Sequence, residues 1–283
     1  MAPRTVTTAR QRRLGTELRK MREAANLTAR EAARLIGVDH TKISHMETAR
    51  FGVSADRIRV LADAYGCPDR AYVDALVAMA AERGRGWWEE YRGILPDGFL
   101  DLTELENKAT SLRTYQVTHL PGLAQTPDYA RAVFELTFPR LPKDDVEARI
   151  AHRMRRAQVL SRSDSPRYSA IIHEAALRMR FGGREVARRQ LEHLLTLSMN
   201  PRCELRVIPF ESAGFAGSGQ AVLYASGPLP QLDTVHLDTA HGATFLSADA
   251  ELGAYRDLLD AMARSTLSVK QSREAIKDIA QKL

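Results

Sequence analysis

The chain has 283 residues, 44% of them hydrophobic and 27% charged, with a formal net charge of +6. That composition suits one large or two medium globular domains with real cores. No apolar run approaches the roughly 20 residues needed to span a bilayer, and the basic start has no apolar stretch behind it to act as a secretory signal. Two cysteines, Cys67 and Cys203, are too few for a disulfide framework, so a cytoplasmic protein with reduced thiols is expected.

The charge is unevenly placed. Residues 1–85 hold 16 Lys/Arg against 10 Asp/Glu, which leaves 25 of each sign to the rest of the chain. A basic module on a neutral body is the electrostatic footprint of phosphate-backbone binding; the bland alternative is a solubilising basic surface. Residues 1–10 read as a flexible arm carrying Arg4 and Arg10. A helix is predicted from about Gln11 to Ala25, with Leu14, Leu18, Met21 and Ala25 on one face and Arg12, Arg13, Arg19, Lys20 and Arg22 on the others. Asn26 supplies a left-handed stop.

Leu27 to Glu47 reads as two short helices joined by a tight turn. Thr28 and Glu31 form a T-x-x-E capping box, and Ala32, Leu35 and Ile36 follow at helical spacing. Gly37 ends the first helix cheaply, Val38 plugs the gap, and Asp39 caps the second helix, whose buried side is Ile43 and Met46. Its other side carries His40, Thr41, Lys42, Ser44 and His45 in the first two turns. A helix entering a major groove N-terminus first needs such short and medium donors and acceptors. A helical hairpin with a solvated face is the plainer reading. Ser54 caps a fourth helix with Ile58, Leu61 and Tyr65, ended by Gly66. Pro68 is expected in the first turn of a fifth helix with Tyr72, Leu76 and Met79, either a dimer surface or a face that packs on the next domain.

Arg83-Gly84-Arg85-Gly86 reads as a linker, giving domains at 1–82 and 87–283, the second opening with a buried Trp87-Trp88 pair. Residues 87–140 are predicted to be mostly helical, with Leu102, Leu105 and Leu112 marking apolar faces. Pro121-Gly122 makes a turn, and Thr126-Pro127-Asp128 is a strong helix start. Residues 144–160 read as a basic amphipathic helix, with Val146, Ile150 and Met154 inside and Arg149, Arg153, Arg155 and Arg156 outside. A strand follows at Tyr168–His173, then a short helix ending at Gly182-Gly183 and a longer one over 184–199. The period then changes to two: 204–209, 220–225, 234–238 and 243–247 read as short strands, with closing helices at about 249–264 and 268–282. The expected fold is a mainly α, five-helix N-terminal domain followed by an α+β domain with a small, mostly antiparallel sheet.

No chemistry-bearing constellation stands out. Gly214 to Gly219 has the wrong spacing for a phosphate loop and leads into a strand. His173-Glu174 is not H-E-x-x-H, because position 177 is Leu. His236, Asp238 and His241 lie close together as metal ligands can, but no fourth ligand accompanies them. Ser247 and Asp249 suit a helix cap better than a triad. No catalytic residue, metal or cofactor is expected, and the chain does not read as an enzyme.

Residues 14–66 resemble the Cro/repressor-type (XRE) helix-turn-helix domain, in which a capping residue starts the motif, glycine closes its first helix, and the recognition helix ends in an aliphatic residue followed by Glu. That resemblance implies an ion pair between Arg22 and Glu47. The sequence departs from the family at Ala49-Arg50-Phe51, where Gly usually follows the recognition helix; Gly52 comes later, so a longer or wider turn is expected. Residues 87–283, with PGLAQTPDYAR at 121–131, Trp88-Glu89-Glu90-Tyr91 and Val207-Ile208-Pro209-Phe210, resemble the C-terminal domain of unknown function carried by actinobacterial regulators of this type. The resemblance implies a transcription regulator that binds double-stranded DNA sequence-specifically as a homodimer on the nucleoid. His40, Thr41, Ser44 and His45 would face bases, and Thr28, Arg30, Lys42 and Arg50 phosphates. The C-terminal domain would take a small protein partner or a ligand; the alternatives are an antitoxin-like component of a two-protein module and an enzyme-like C-terminal domain.

Overall fold

In the computed structural model, which describes residues 7–81, 86–217, 219–239 and 241–283, the first helix starts two residues earlier than the periodicity places it. Residues 1–6 and 82–85, which hold most of the expected arm and linker, lie outside the described residues. Helix α1 spans Ala9–Ala24, and Thr8 and Gln11 form its capping box: the Thr8 hydroxyl accepts from the Gln11 N–H at 3.3 Å, and the Gln11 side chain accepts from the Thr8 N–H at 3.2 Å. Next come α2 (Ala29–Leu35), α3 (His40–Glu47), α4 (Ala55–Ala64) and α5 (Arg70–Ala81). Pro68 does not open α5; Asp69 accepts from the Tyr72 N–H at 2.9 Å and the helix begins after it.

These helices belong to a first compact unit, residues 1–89; the second is 90–283. Leu14, Leu18, Met21, Ala32, Ala33, Ile43, Ile58, Leu61, Val73 and Leu76 are buried in the first. Leu35, expected on the buried face of α2, is 57% exposed. The helix has only two turns, and the small pair Ala32-Ala33 fills its contact instead. The unit also buries a carboxylate. Glu17 receives Arg13 at 2.7 Å, Lys20 at 3.3 Å and the Tyr72 hydroxyl at 2.7 Å. Arg13 and Lys20, placed on outer faces by the pattern, are thus engaged inside the unit.

The second unit contains α6 (Asp97–Lys108), β1 (Ser111–Gln116), α7 (Pro127–Glu135), α8 (Lys143–Ala157), β2 (Arg167–His173), α9 (Glu174–Arg178), α10 (Arg184–Leu197), β3 (Cys203–Ile208), β4 (Val222–Ser226), β5 (Thr234–Thr239), β6 (Gly242–Leu246), α11 (Asp249–Arg264) and α12 (Val269–Gln281). The six strands form one mixed sheet in the order β3-β2-β1-β4-β5-β6. Two pairings are parallel (β1–β2 and β2–β3) and three antiparallel. The fold is therefore α+β as expected, with one strand more than the sequence reading gave. The missing strand is β1, which lies inside the stretch read as mostly helical. It is central, parallel to β2 and antiparallel to β4, and Leu112 belongs to it rather than to a helical face.

Alternation along the strands divides two cores. Leu112, Tyr168, Ala170, Ile172, Leu205, Val207 and Leu223 lie in one, with residues of α7, α10 and α12. Tyr115, Ile171, Ile208, Val222, Tyr224, Val235 and Leu237 lie in the other, with residues of α11. The β3 edge is closed by the α12 region: Val207 N–H donates to Ser272 Oγ at 3.0 Å, and Leu267 N–H donates to the Val207 carbonyl at 2.8 Å. The PGLAQTPDYAR segment is tied to α10 by Gln190, which accepts from Thr126 N–H at 2.6 Å and donates to the Ala124 carbonyl at 2.7 Å.

Helix α8 differs most from its expected orientation. Arg155 points outward to Glu90 at 2.6 Å, but Arg156 is 6% exposed and lies 2.9 Å from Glu106. Arg149 and Arg153 are half-buried, with the Arg153 guanidinium 4.1 Å from the centroid of Phe134 and that of Arg149 5.0 Å from Phe99. Aromatic faces make inward arginines tolerable, and a pattern scored on side-chain polarity puts them outside. Among the described residues no helix is long and apolar enough to cross a membrane.

Burial sets opposing proton equilibria in this unit. His152, fully buried with its Nε2 3.1 Å from the Thr103 hydroxyl, is pushed down to about 3 by desolvation and then by Arg156 and Arg153. His236 is pushed down to about 4 by desolvation and then by Arg156. Glu106 is pushed up to about 7 by desolvation, against the pull of Arg156 and Arg153. The histidines have folded pKa values below their unfolded ones, so their contribution is full above about pH 6.5 and each loses about 2 kcal/mol by pH 5. Glu106 works the other way and returns about 2–3 kcal/mol over the same fall. From these three groups, acidification from pH 7 to 5 is expected to lower the stability of this unit by about 1–2 kcal/mol, and His119 and His193, which burial also shifts down, add to the loss. The Glu106→Gln variant should show a loss steeper by about 2 kcal/mol. Denaturant melts at the two pH values measure both; an equal slope in the variant contradicts the Glu106 assignment.

Candidate nucleic-acid interface

The geometry of α3 is set by its two ends. Asp39 lies outside the helix in extended backbone, and its Oδ1 accepts from the Thr41 N–H at 2.8 Å and from the Thr41 hydroxyl at 2.6 Å. These bonds from Thr41 hold the Asp39 carboxyl below the usual range. Gly37, at φ +66, turns the chain between α2 and α3. Ile43 and Met46 are 1% and 9% exposed and fix the inner face.

At the other end, Glu47 is held by a two-pronged ion pair. Arg22 Nε donates to Glu47 Oε1 at 2.6 Å, and Arg22 Nη2 to Oε2 at 2.9 Å. The remaining Arg22 nitrogen, Nη1, donates to the Leu27 carbonyl at 2.6 Å. One guanidinium thereby joins α1, the approach to α2 and the end of α3. Gly15 of α1 makes this approach possible, since a Cβ there would lie 2.9 Å from both the Glu47 carbonyl carbon and the Met46 oxygen.

The helix then ends on Ala49, the first residue of the departure from the resembled family. Ala49 has φ +57 and is 2% exposed. It occupies the left-handed position itself, with its N–H donating to the Met46 carbonyl at 3.1 Å. The turn is therefore closed at Ala49, not extended to Gly52. Gly15, Ala49 and the Glu17 cluster all escaped the periodicity argument, because close backbone approach and backbone sign leave no mark on a hydrophobic pattern.

His40, Thr41, Lys42 and Ser44 are exposed. His45 is half-buried, its ring edge-on to Phe51 at 4.9 Å. The Thr41 hydroxyl is already engaged by Asp39, and the His40 Nδ1 lies 3.6 Å from the same carboxylate. Thr28 is exposed, but its N–H and hydroxyl both donate to Glu31, at 2.7 and 2.6 Å. Among the described residues Arg30, Lys42 and Arg50 make no ion pair, whereas Arg13, Arg19, Lys20, Arg22, Arg59 and Arg70 each do. Arg34 and Arg57, among the described residues, also make no ion pair, so four of the five, Arg30, Arg34, Lys42 and Arg50, belong to the helix-turn-helix segment and its closing turn. Elsewhere, no group of three or more His, Cys, Asp or Glu side chains among the described residues is placed to hold a metal. Asp238 is exposed while His236 is buried against Phe245.

Residues 13–76 match the family described as Helix-turn-helix domain, and residues 99–278 match the family described as Domain of unknown function (DUF5753). No curated protein and no solved structure matches the chain.

Removing one partner of the Arg22–Glu47 pair strands the other among buried groups. Glu47→Ala is expected to cost about 3–5 kcal/mol. Arg22→Leu combined with Glu47→Leu should cost less than the sum of the single changes. Chemical denaturation of the four proteins of the cycle measures this, and additive costs would show that the pair is not coupled.

Proposed function

The chain belongs to the DUF5753 family, and from its N-terminal helix-turn-helix domain we propose that it is a transcription regulator of the Cro/repressor (XRE) type that reads double-stranded DNA sequence-specifically. One observation carries this reading. The first two turns of α3 expose His40, Lys42 and Ser44 on a helix whose other face is fixed by Ile43, Met46 and the Arg22–Glu47 fork, while Arg30, Lys42 and Arg50, among the described residues, make no ion pair. A rigid helix with an exposed polar N-terminal end, flanked by uncommitted cations, has the parts for base readout and phosphate clamping.

Within this reading the roles separate by what each side chain has left to offer. His40 and Ser44 face bases directly, and His45 does so from its place against Phe51. Thr41 contributes by fixing Asp39, the N-terminal cap of the reading helix. Arg30, Lys42 and Arg50 bind phosphates, with Thr28 contributing only through the helix start that it caps. The protein acts as a homodimer on a two-fold symmetric site, because a single module of this size reads only a half-site. The second unit is the regulatory module, receiving a partner or ligand.

Base and phosphate roles give different signatures. His40→Ala is expected to cost about 1–3 kcal/mol on the preferred site, much less on random duplex, and to relax the sequence preference. Lys42→Ala should weaken both duplexes alike and reduce the slope of log affinity against log salt by about 1. Fluorescence anisotropy titrations over a salt series separate the two. Equal losses for His40→Ala on both duplexes would remove it from base readout.

A further inference from the structure

The inward arginines of α8 bring together more positive charge than the carboxylates around them balance. Arg149, Arg153 and Arg156 follow at i, i+4 and i+7 and share one face of the helix, where like charges repel. Their guanidiniums crowd together. Those of Arg149 and Arg153 both lie over the Phe134 ring, at 5.8 and 4.1 Å from its centroid. The Arg156 Nη2 and Arg153 Nε lie 2.7 and 3.9 Å from where a side chain on Gly122 would begin. The loop carrying Gly122 therefore packs directly on this cluster.

The countercharge is inadequate. Among the described residues neither Arg149 nor Arg153 has a carboxylate within ion-pair distance; Arg153 has one neutral acceptor, Gln125 Oε1, at 2.6 Å from its Nη1. Gln125 is itself fixed by donating to the Leu120 carbonyl at 2.7 Å. Arg156 Nε is 2.9 Å from Glu106 Oε2, yet neither atom makes a hydrogen bond. The Nε atoms of Arg149 and Arg153 are also buried without a hydrogen-bond partner. Asp238 is the other acid whose charge is felt by Arg153, and it is exposed. The nearby imidazoles of His119 and His236 are driven towards neutrality and supply no further positive charge. Buried cations with unfilled donors are costly unless something pairs with them. The Nε atoms are buried, while Arg149 and Arg153 each keep part of their surface exposed, and it is from that side that a small solute would reach the cluster.

We propose that Arg149, Arg153 and Arg156, walled by Gly122 and Gln125 of the PGLAQTPDYAR segment, form a binding site for a small oxyanion, a phosphate- or polycarboxylate-bearing metabolite. Guanidinium forks match phosphate and carboxylate oxygens two bonds at a time, and three of them on one helix face supply the donors that Glu106 and Gln125 leave unfilled. The Phe134 and Phe99 rings hold the guanidiniums in place from behind. The site lies within the second unit alone and does not depend on DNA binding by the first.

Isothermal titration of the full-length protein at constant ionic strength tests it, with inorganic phosphate, pyrophosphate and citrate as probes and chloride as the background anion. Saturable binding of at least one probe is expected, weakened about ten- to a hundredfold in Arg149→Gln and in Arg153→Gln and unchanged in Arg155→Gln, whose side chain points away to Glu90. Arg153→Lys, which keeps the charge but loses the fork, should be weakened as well, and circular dichroism checks that each variant is folded. Preference for the phosphates or for citrate identifies the class of oxyanion. Absence of saturable binding to all three probes, or equal binding by wild type and the folded Arg149 and Arg153 variants, overturns the proposal.

Discussion

The Arg22–Glu47 fork is the contact on which the first unit depends. The recognition helix has eight residues, too few to be stable by itself, and two buried side chains alone would leave it free to roll. Arg22 removes that freedom by gripping Glu47 with two nitrogens and the Leu27 carbonyl with a third. Because Gly15 lets α1 come into backbone contact with the end of α3, the fork is short and the helix is positioned relative to α1 rather than to a flexible loop. The polar end proposed to read DNA is thus presented by a helix anchored at its far end.

Much of this is legible in the sequence. Thr28-x-x-Glu31, Gly37 and Asp39 are local chemistry: each places a donor or acceptor where a helix end lacks one, and each does so in the structure. Ser54 and Thr126-Pro127 are of the same kind. What the sequence hid is long-range or backbone in nature. Gly15 looks like an ordinary weak point in a helix until the partner backbone is seen. Ala49 as a residue type does not favour a left-handed conformation, and only the glycine usual at this place in the resembled family points to one; the alanine is held there by its buried surroundings. The site-residue roles were legible only as types; which hydroxyls are already engaged, as Thr28 and Thr41 are, depends on side chains two or three residues away.

In the second unit the errors have one cause. Polar side chains predict exposure, and here several of them are buried. Strand β1 contains Arg113, Thr114 and Gln116 and lies beside a genuine helix, so its alternation was absorbed into helical spacing, yet it is the strand where parallel pairing on one side meets antiparallel pairing on the other. The pattern of helix α8 predicts four outward arginines, and three turn inward onto Phe99, Phe134 and Glu106. The segment that carries the family resemblance, around Gly122 and Gln125, meets those arginines. The residues that looked most like solvent-facing charge are therefore the ones whose burial calls for an explanation.

The most direct test of the account is retention of a randomised duplex pool by the full-length protein at two salt concentrations, followed by sequencing. A sequence-reading helix α3 on a two-fold symmetric dimer predicts a palindromic motif with half-sites about one helical turn, roughly 34–36 Å, apart, enriched more strongly at the higher salt because non-specific phosphate contacts weaken first. Retention without any motif, abolished by salt, would mean that the unit grips only the phosphate backbone and would contradict the assignment of His40, Ser44 and His45 to bases.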